Sequence, residues 1–252
     1  MTLKFLVCGL EHTGTTLVTE LFRQIPHLDS GFECGVLLND SPADFVDTQP
    51  FANNMLEGWG ITHEQLEACC QAKNHDDFYR LLMQSSSTIS DDTTEIFDKT
   101  PRYLFDLENV LRRAVVPAIV TYKDPRAIVY SDYRRASPPD FYSWFDTYSA
   151  EKISYMQISY MEYLKHLKDQ RVISVGLEAL TMNARPTMEA MFSHVGKSFE
   201  LSYAIIPDVK FDNVRSNVVS ADIAFEFRNA FTQEQISRIE KEFSYFDLWF
   251  YN

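Results

Sequence analysis

The chain has 252 residues, 45% of them apolar and 14% aromatic, enough to close a sizeable core, and the expectation is a single domain over 1–252. Its 23 basic against 36 acidic residues give a net charge of −13, which excludes a protein whose surface as a whole binds nucleic acid or anionic membrane. Four cysteines without metal-ligand spacing, and no apolar run of signal-peptide or membrane-spanning length, point to reduced thiols and a cytoplasmic chain with no membrane span.

In chain order, residues 3–8 read as a short buried strand, followed by a helix from Thr15 to Ile25 with Leu17, Leu21, Phe22 and Ile25 on one face. Between them "GLEHTG" sets Gly9 and Gly14 at the spacing of a nucleoside-triphosphate loop, but Thr15 stands where that loop has its Lys. Backbone amides and a helix N-terminus hold an anion without the Lys, so a group of lower charge than a triphosphate fits better. A bare strand-to-helix turn explains the two glycines equally well.

Pro26 to Trp59, rich in Asp, Asn, Pro and Gly, is expected to be loops and short pieces. Helices are predicted from Thr62 and from near His75, then a strand "EIFDK" (95–99), a helix from Tyr103 to Arg113 and a strand "AIVTY" (118–122). Asp124 caps and Pro125 opens the next helix, to about residue 135. A long helix from Phe141 to Lys168, a strand over 171–176, helices near 178–183, 186–196 and 232–244, and an irregular segment from Leu201 to Asp222 complete the chain. The alternation predicts an α/β fold, a central parallel sheet flanked by helices.

Residues 99–135 hold eight basic residues (Lys99, Arg102, Arg112, Arg113, Lys123, Arg126, Arg134, Arg135) and four acidic ones. A local basic segment in an acidic chain suits a small, compact anion, although solvated helix faces have the same composition.

Four segments, in order along the chain, carry a family resemblance. "GLEHTGTTLV" resembles the 5′-phosphosulfate loop of sulfotransferases that use 3′-phosphoadenosine 5′-phosphosulfate (PAPS). "DKTPRYLFDLENVLRRAVVPAIVTYKDPRAIVYSDYRR" (98–135) is similar to that family's second signature, with Ser131 eight residues after Lys123. "RVISVGLEALTMNARPTMEAMFSHVGKSFE" (171–200) and "FRNAFTQEQISRIEKEF" resemble its later strand-helix pair and C-terminal helix, in a pattern like the bacterial and tyrosylprotein or Golgi-type enzymes. The resemblance implies a P-loop-like sulfotransferase fold, PAPS as donor, 3′-phosphoadenosine 5′-phosphate (PAP) as product, no metal, and a small-molecule, glycan or lipid acceptor.

On that basis Thr13, Gly14, Thr15 and Thr16 supply amides and two hydroxyls to the 5′ end of the donor, and Lys123 and Ser131 hold its 3′-phosphate. Arg215, in "NVRSN", closes over the same phosphate. Glu33, in "DSGFECG", is the base for the acceptor's proton, a surface Glu in a polar loop being the plainer alternative, and Lys99 in "DKTPR" supplies charge to the leaving group. His12 stands where relatives carry Lys or Arg, so its cation requires a protonated imidazole, with activity expected to fall as pH rises through the imidazole range. Lys123 in place of Arg and Gly176 in place of a basic residue are further departures. Phe45, Phe51, Trp59 and the aromatics of "DFYSWFDTY" are candidates for an acceptor pocket or for plain core. Two rival functions share the motifs: a nucleotide kinase with Asp124 on Mg²⁺, and a non-catalytic PAPS- or PAP-binding relative.

Overall fold

The structure, a computed structural model, describes residues 2–207 and 219–244. Strands β1 (Leu3–Gly9), β2 (Leu28–Asp29), β3 (Glu95–Lys99), β4 (Ala118–Tyr122) and β5 (Val172–Gly176) form one parallel sheet in the order β2-β3-β1-β4-β5. Along β1, Phe5 and Val7 enter the apolar cluster on one face, and Leu6 and Cys8 the cluster on the other. Both faces are covered, which is why β1, β4 and β5 read as mainly apolar runs, while β3 carries Glu95, Asp98 and Lys99.

One face carries α1 (Thr15–Phe22). The other is covered by α2 (Phe51–Gly58), α3 (His63–Cys70), α4 (His75–Ser85) and α5 (Leu107–Arg113). Next come α6 (Pro125–Ala136) and α7 (Phe141–His166), which build a third apolar cluster. After β5 follow α8 (Leu177–Met182), α9 (Ala184–His194), α10 (Ala221–Phe225), α11 (Phe227–Ala230) and α12 (Gln233–Glu242). Phe22 of α1 stacks on Phe192 of α9 at 4.3 Å between ring centroids, which joins these two helices beneath the sheet.

The expected α/β class and parallel sheet are observed. Two segments differ. Helix α2 lies inside the stretch expected to be irregular: its two Asn residues weaken local propensity, but Phe51, Ala52 and Met55 share one buried face, and packing overrides propensity. Residues 101–106 form a 3₁₀ turn ahead of α5 because the Tyr103 hydroxyl is drawn to Asp98 at 2.7 Å. All four cysteines are unbridged and buried, and burial raises the Cys69 and Cys70 thiols to about 11, which leaves them poor nucleophiles. No described helix is long and apolar enough to cross a membrane.

Register brings the chemistry to one edge. Val7 pairs with Lys99, Gly9 with Thr121 and Tyr122 with Gly176, so the last residues of β1, β3, β4 and β5 sit along the carboxyl edge of the sheet. The chain leaves β1 and β4 toward opposite sides, the switch point where open α/β sheets bind ligands.

Candidate active site

The loop after β1 is tied down from within. At Gly9 (φ 151°) a Cβ would stand 2.4 Å from the Thr121 carbonyl oxygen, so β4 approaches too closely for any side chain. The Thr13 hydroxyl donates to the Leu10 carbonyl at 2.6 Å and lies 2.7 Å from Thr121 Oγ1. That hydroxyl braces the loop instead of facing outward, so of the loop threonines Thr15 and Thr16 are the ones left to offer two hydroxyls. Gly14, left-handed at φ 100°, begins α1 without a side-chain cap, which leaves the first-turn amides without intrahelical partners.

These amides open on a cavity of about 220 Å³. Eight of the residues nominated from sequence line it: His12, Gly14, Thr15, Thr16, Glu33, Lys99, Lys123 and Ser131. Thr13 points away, and Arg215 lies outside the described residues. Arg135 and Thr181, which sequence reasoning did not nominate, line it too, with Leu177, Val219 and Ile223 as an apolar wall.

At one end Lys99, the last residue of β3, is 2% exposed and its Nζ lies 3.2 Å from Glu33 Oε1 and 4.4 Å from the centre of the Phe32 ring. Burial pulls the Lys99 ammonium below its ordinary range, opposed by the Glu33 carboxylate. The pair is held from behind. Asp98 accepts the hydroxyls of Tyr79 (2.6 Å), Tyr103 (2.7 Å) and Thr100 (2.8 Å), and Thr100 Oγ1 accepts the Gly35 N–H at 3.1 Å. Trp59 Nε1 donates to the Phe32 carbonyl at 2.5 Å, so both flanks of Glu33 are fixed. Burial raises the Asp98 carboxyl, and these hydroxyls oppose the rise.

Across β1 from Lys99, Lys123 follows β4 and is 6% exposed, with Ser131 buried two turns into α6. Asp124 caps α6 by accepting the Arg126 N–H at 2.8 Å and pairs with the Arg126 guanidinium at 2.7 Å, and that guanidinium also reaches Glu240 of α12 at 2.7 Å. Both Asp124 oxygens are thereby engaged by Arg126, which removes the metal-binding carboxylate that a kinase reading needs. At Gly176 a Cβ would stand 2.9 Å from the Tyr122 ring, so a side chain there would have to displace the end of that ring.

Behind Lys123, Glu178 is fully buried; its Oε1 accepts the Asp124 N–H at 2.9 Å, and its Oε2 has no hydrogen-bond partner among the described residues. Burial pushes the Glu178 carboxyl up to about 7. A carboxyl raised on folding favours its protonated form, so its stabilisation is present at acid pH and is lost as pH rises through about 7. Denaturant unfolding should show the wild type losing about 2–3 kcal/mol between about pH 5 and pH 8, a loss absent in Glu178→Gln. Parallel pH slopes in the two proteins would remove this account.

His12 (φ 68°) stands between two cavities. Its Nε2 lies 2.7 Å from Arg135 Nη1 and 3.4 Å from Asp132 Oδ1, and Asp132 Oδ2 accepts the Tyr148 hydroxyl at 2.8 Å. A guanidinium only donates, so the shorter contact makes Nε2 an acceptor and the imidazole neutral. Burial first, then Arg135 and Lys123, lower the His12 pKa against the opposing charges of Asp132 and Glu11. The contact with Arg135 thus favours the neutral imidazole over the imidazolium.

The second cavity, about 670 Å³, shares Glu11 and His12 with the first and is walled by Leu10, Ile128, Trp144, Tyr148, Tyr155 and Met156. Trp144 and Tyr148 of the "DFYSWFDTY" stretch thus face a cavity. Phe45, Phe51 and Trp59 do not; they belong to the core between the sheet and α2–α5.

The family model for the sulfotransferase family matches residues 5–200. Among solved structures, the sulfotransferase domain of the Synechococcus PCC 7002 olefin synthase is 17% identical, with 96% of this chain and 94% of that chain covered and a TM-score of 0.64. The sulfotransferase domain from the curacin biosynthetic pathway is 12% identical, covering 97% of this chain and 98% of that one, with a TM-score of 0.64. A mouse sulfotransferase complexed with PAP is 13% identical over 97% of this chain and 84% of its own, at a TM-score of 0.51. A search of curated proteins found no match. A family match over most of the chain, on a parallel sheet whose carboxyl edge carries the matching loop, leads to one conclusion: the chain belongs to the sulfotransferase family.

Proposed function

We propose that this protein transfers the sulfuryl group of PAPS to a hydroxyl or amine of a small-molecule acceptor. One observation carries the reading: a single cavity is lined by Lys99, the first-turn residues of α1, Lys123 and Ser131, with Lys99 ending β3 and Lys123 following β4 on opposite sides of β1. That arrangement suits a nucleotide with phosphates at two separate positions. Leu177, Val219 and Ile223 offer an apolar wall for its base. The PAP bound to the mouse relative supports the same donor.

In this reading the α1 amides and the Thr15 and Thr16 hydroxyls hold the 5′ end, while Lys123 and Ser131 hold the 3′-phosphate. Glu33 takes the proton from the acceptor's O–H or N–H as that oxygen or nitrogen bonds to sulfur. The bond from sulfur to the bridging oxygen breaks with its electron pair moving onto the 5′-phosphate of PAP. Lys99, desolvated beneath Phe32, stabilises that charge in a medium where a cation acts strongly. The larger cavity beyond His12 offers the acceptor an aromatic and apolar approach.

Sulfuryl transfer from labelled PAPS to a panel of phenols, alcohols and amines, run with a chelator, tests the reading. Labelled product in the chelator is expected. Transfer only from ATP and only with Mg²⁺ would replace this reading with the kinase, and PAP binding without any product would replace it with a non-catalytic relative.

A further inference from the structure

A phosphosulfate loop without its own permanent cation leaves a charge missing beside the leaving 5′-phosphate. In this chain the loop residue at that place is a neutral His12, and Lys99 approaches from β3 together with its carboxylate partner. A second guanidinium lies within reach. Arg135 projects from the last turn of α6, one helical turn beyond Ser131, lines the donor cavity and places Nη1 2.7 Å from His12 Nε2.

We propose that Arg135 is a catalytic residue of this chain: its guanidinium takes the place of the missing loop cation, binding the 5′-phosphate as it leaves, while neutral His12 positions it by accepting one of its N–H groups. The inference rests on the PAPS reading above. A guanidinium carries five N–H donors in a planar fork, so one can remain on His12 while others meet phosphate oxygens. The imidazole cannot do this work itself: its Nε2 is occupied by a donor, and Arg135 and Lys123 oppose its protonation. The Asp132 carboxylate, held by the Tyr148 hydroxyl, lies 3.4 Å from the same nitrogen and limits where the imidazole can turn. The left-handed backbone of His12 aims the ring at α6, an arrangement that a non-glycine residue adopts at a cost. The loop thus carries an acceptor for Arg135 where relatives carry a cation.

Arg135 is exposed, so its removal leaves the fold intact. The test compares PAP with adenosine 3′-monophosphate, which lacks the 5′-phosphate, by calorimetry on the wild type, Arg135→Ala, Arg135→Lys and the double variant Arg135→Ala with His12→Lys. The ratio of the two affinities reports the 5′-phosphate alone and requires no known acceptor. In Arg135→Ala the ratio should fall about tenfold or more, with adenosine 3′-monophosphate bound within about twofold of wild type. Arg135→Lys or the double variant should restore most of it. A ratio unchanged in Arg135→Ala, equal loss for both ligands, or a loss that neither added lysine restores would overturn the proposal. A wild type that fails to bind PAP would overturn the donor reading instead.

Discussion

Glu33→Gln is expected to cut turnover about 10²–10⁴-fold while PAP affinity stays within about twofold of wild type. The amide keeps the size of the carboxylate and an oxygen to accept from Lys99, whose Nζ lies 3.2 Å away, so the local framework of Thr100, Gly35 and Trp59 is undisturbed. Two things are lost: the basic group that removes the acceptor's proton, and the negative charge that offsets the desolvation of a lysine only 2% exposed. Both act on the chemical step. Steady-state rates at saturating PAPS, with calorimetry for PAP, check the split, and parallel losses in rate and affinity would mean that Glu33 organises the pocket instead of acting in the reaction.

Lys123→Ala should weaken PAP binding about a hundredfold, the size of a charge-assisted phosphate contact made in a poorly solvated site. The side chain is 6% exposed at the end of β4. The turn that carries it is set by other groups: Asp124 caps α6 and its N–H donates to Glu178. Removing the ammonium therefore leaves the backbone in place. Far-ultraviolet circular dichroism of the variant should match that of the wild type, which separates lost contact from lost fold.

Strands β1, β4 and β5 were legible because each is a short, mainly apolar run, as a parallel sheet covered on both faces requires, whereas β3 (EIFDK) carries three charged residues and the two-residue β2 lies in the stretch expected to be loops and short pieces. The loop, Lys99, Lys123 and Ser131 could be found because each falls at a strand end or at fixed spacing along α6. Arg135 was counted within the basic window but not assigned, although its position four residues after Ser131 puts both on one helical face. Its role depends on His12, which is distant in sequence, and only the folded loop brings the two together. Likewise the neutrality of His12 and the raised carboxyl of Glu178 come from burial, a tertiary property that residue type does not reveal. Of the basic window, Arg113 and Arg126 serve structural ion pairs with Asp40, Asp106, Asp124 and Glu240, and Lys99, Lys123 and Arg135 reach the cavity. The composition of the window suits either solvated helix faces or a site for a compact anion; Arg113 and Arg126 fit neither, being held in structural ion pairs.

The proposed donor position spans the cavity, with the 3′-phosphate on Lys123 and the reacting end beside Glu33. A calorimetric titration of PAP into wild type, Lys123→Ala and Glu33→Gln, in a chelator, addresses it most directly. Tight binding to wild type and Glu33→Gln with about a hundredfold loss in Lys123→Ala is the predicted result. Equal affinity in all three proteins, or loss confined to Glu33→Gln, would contradict it.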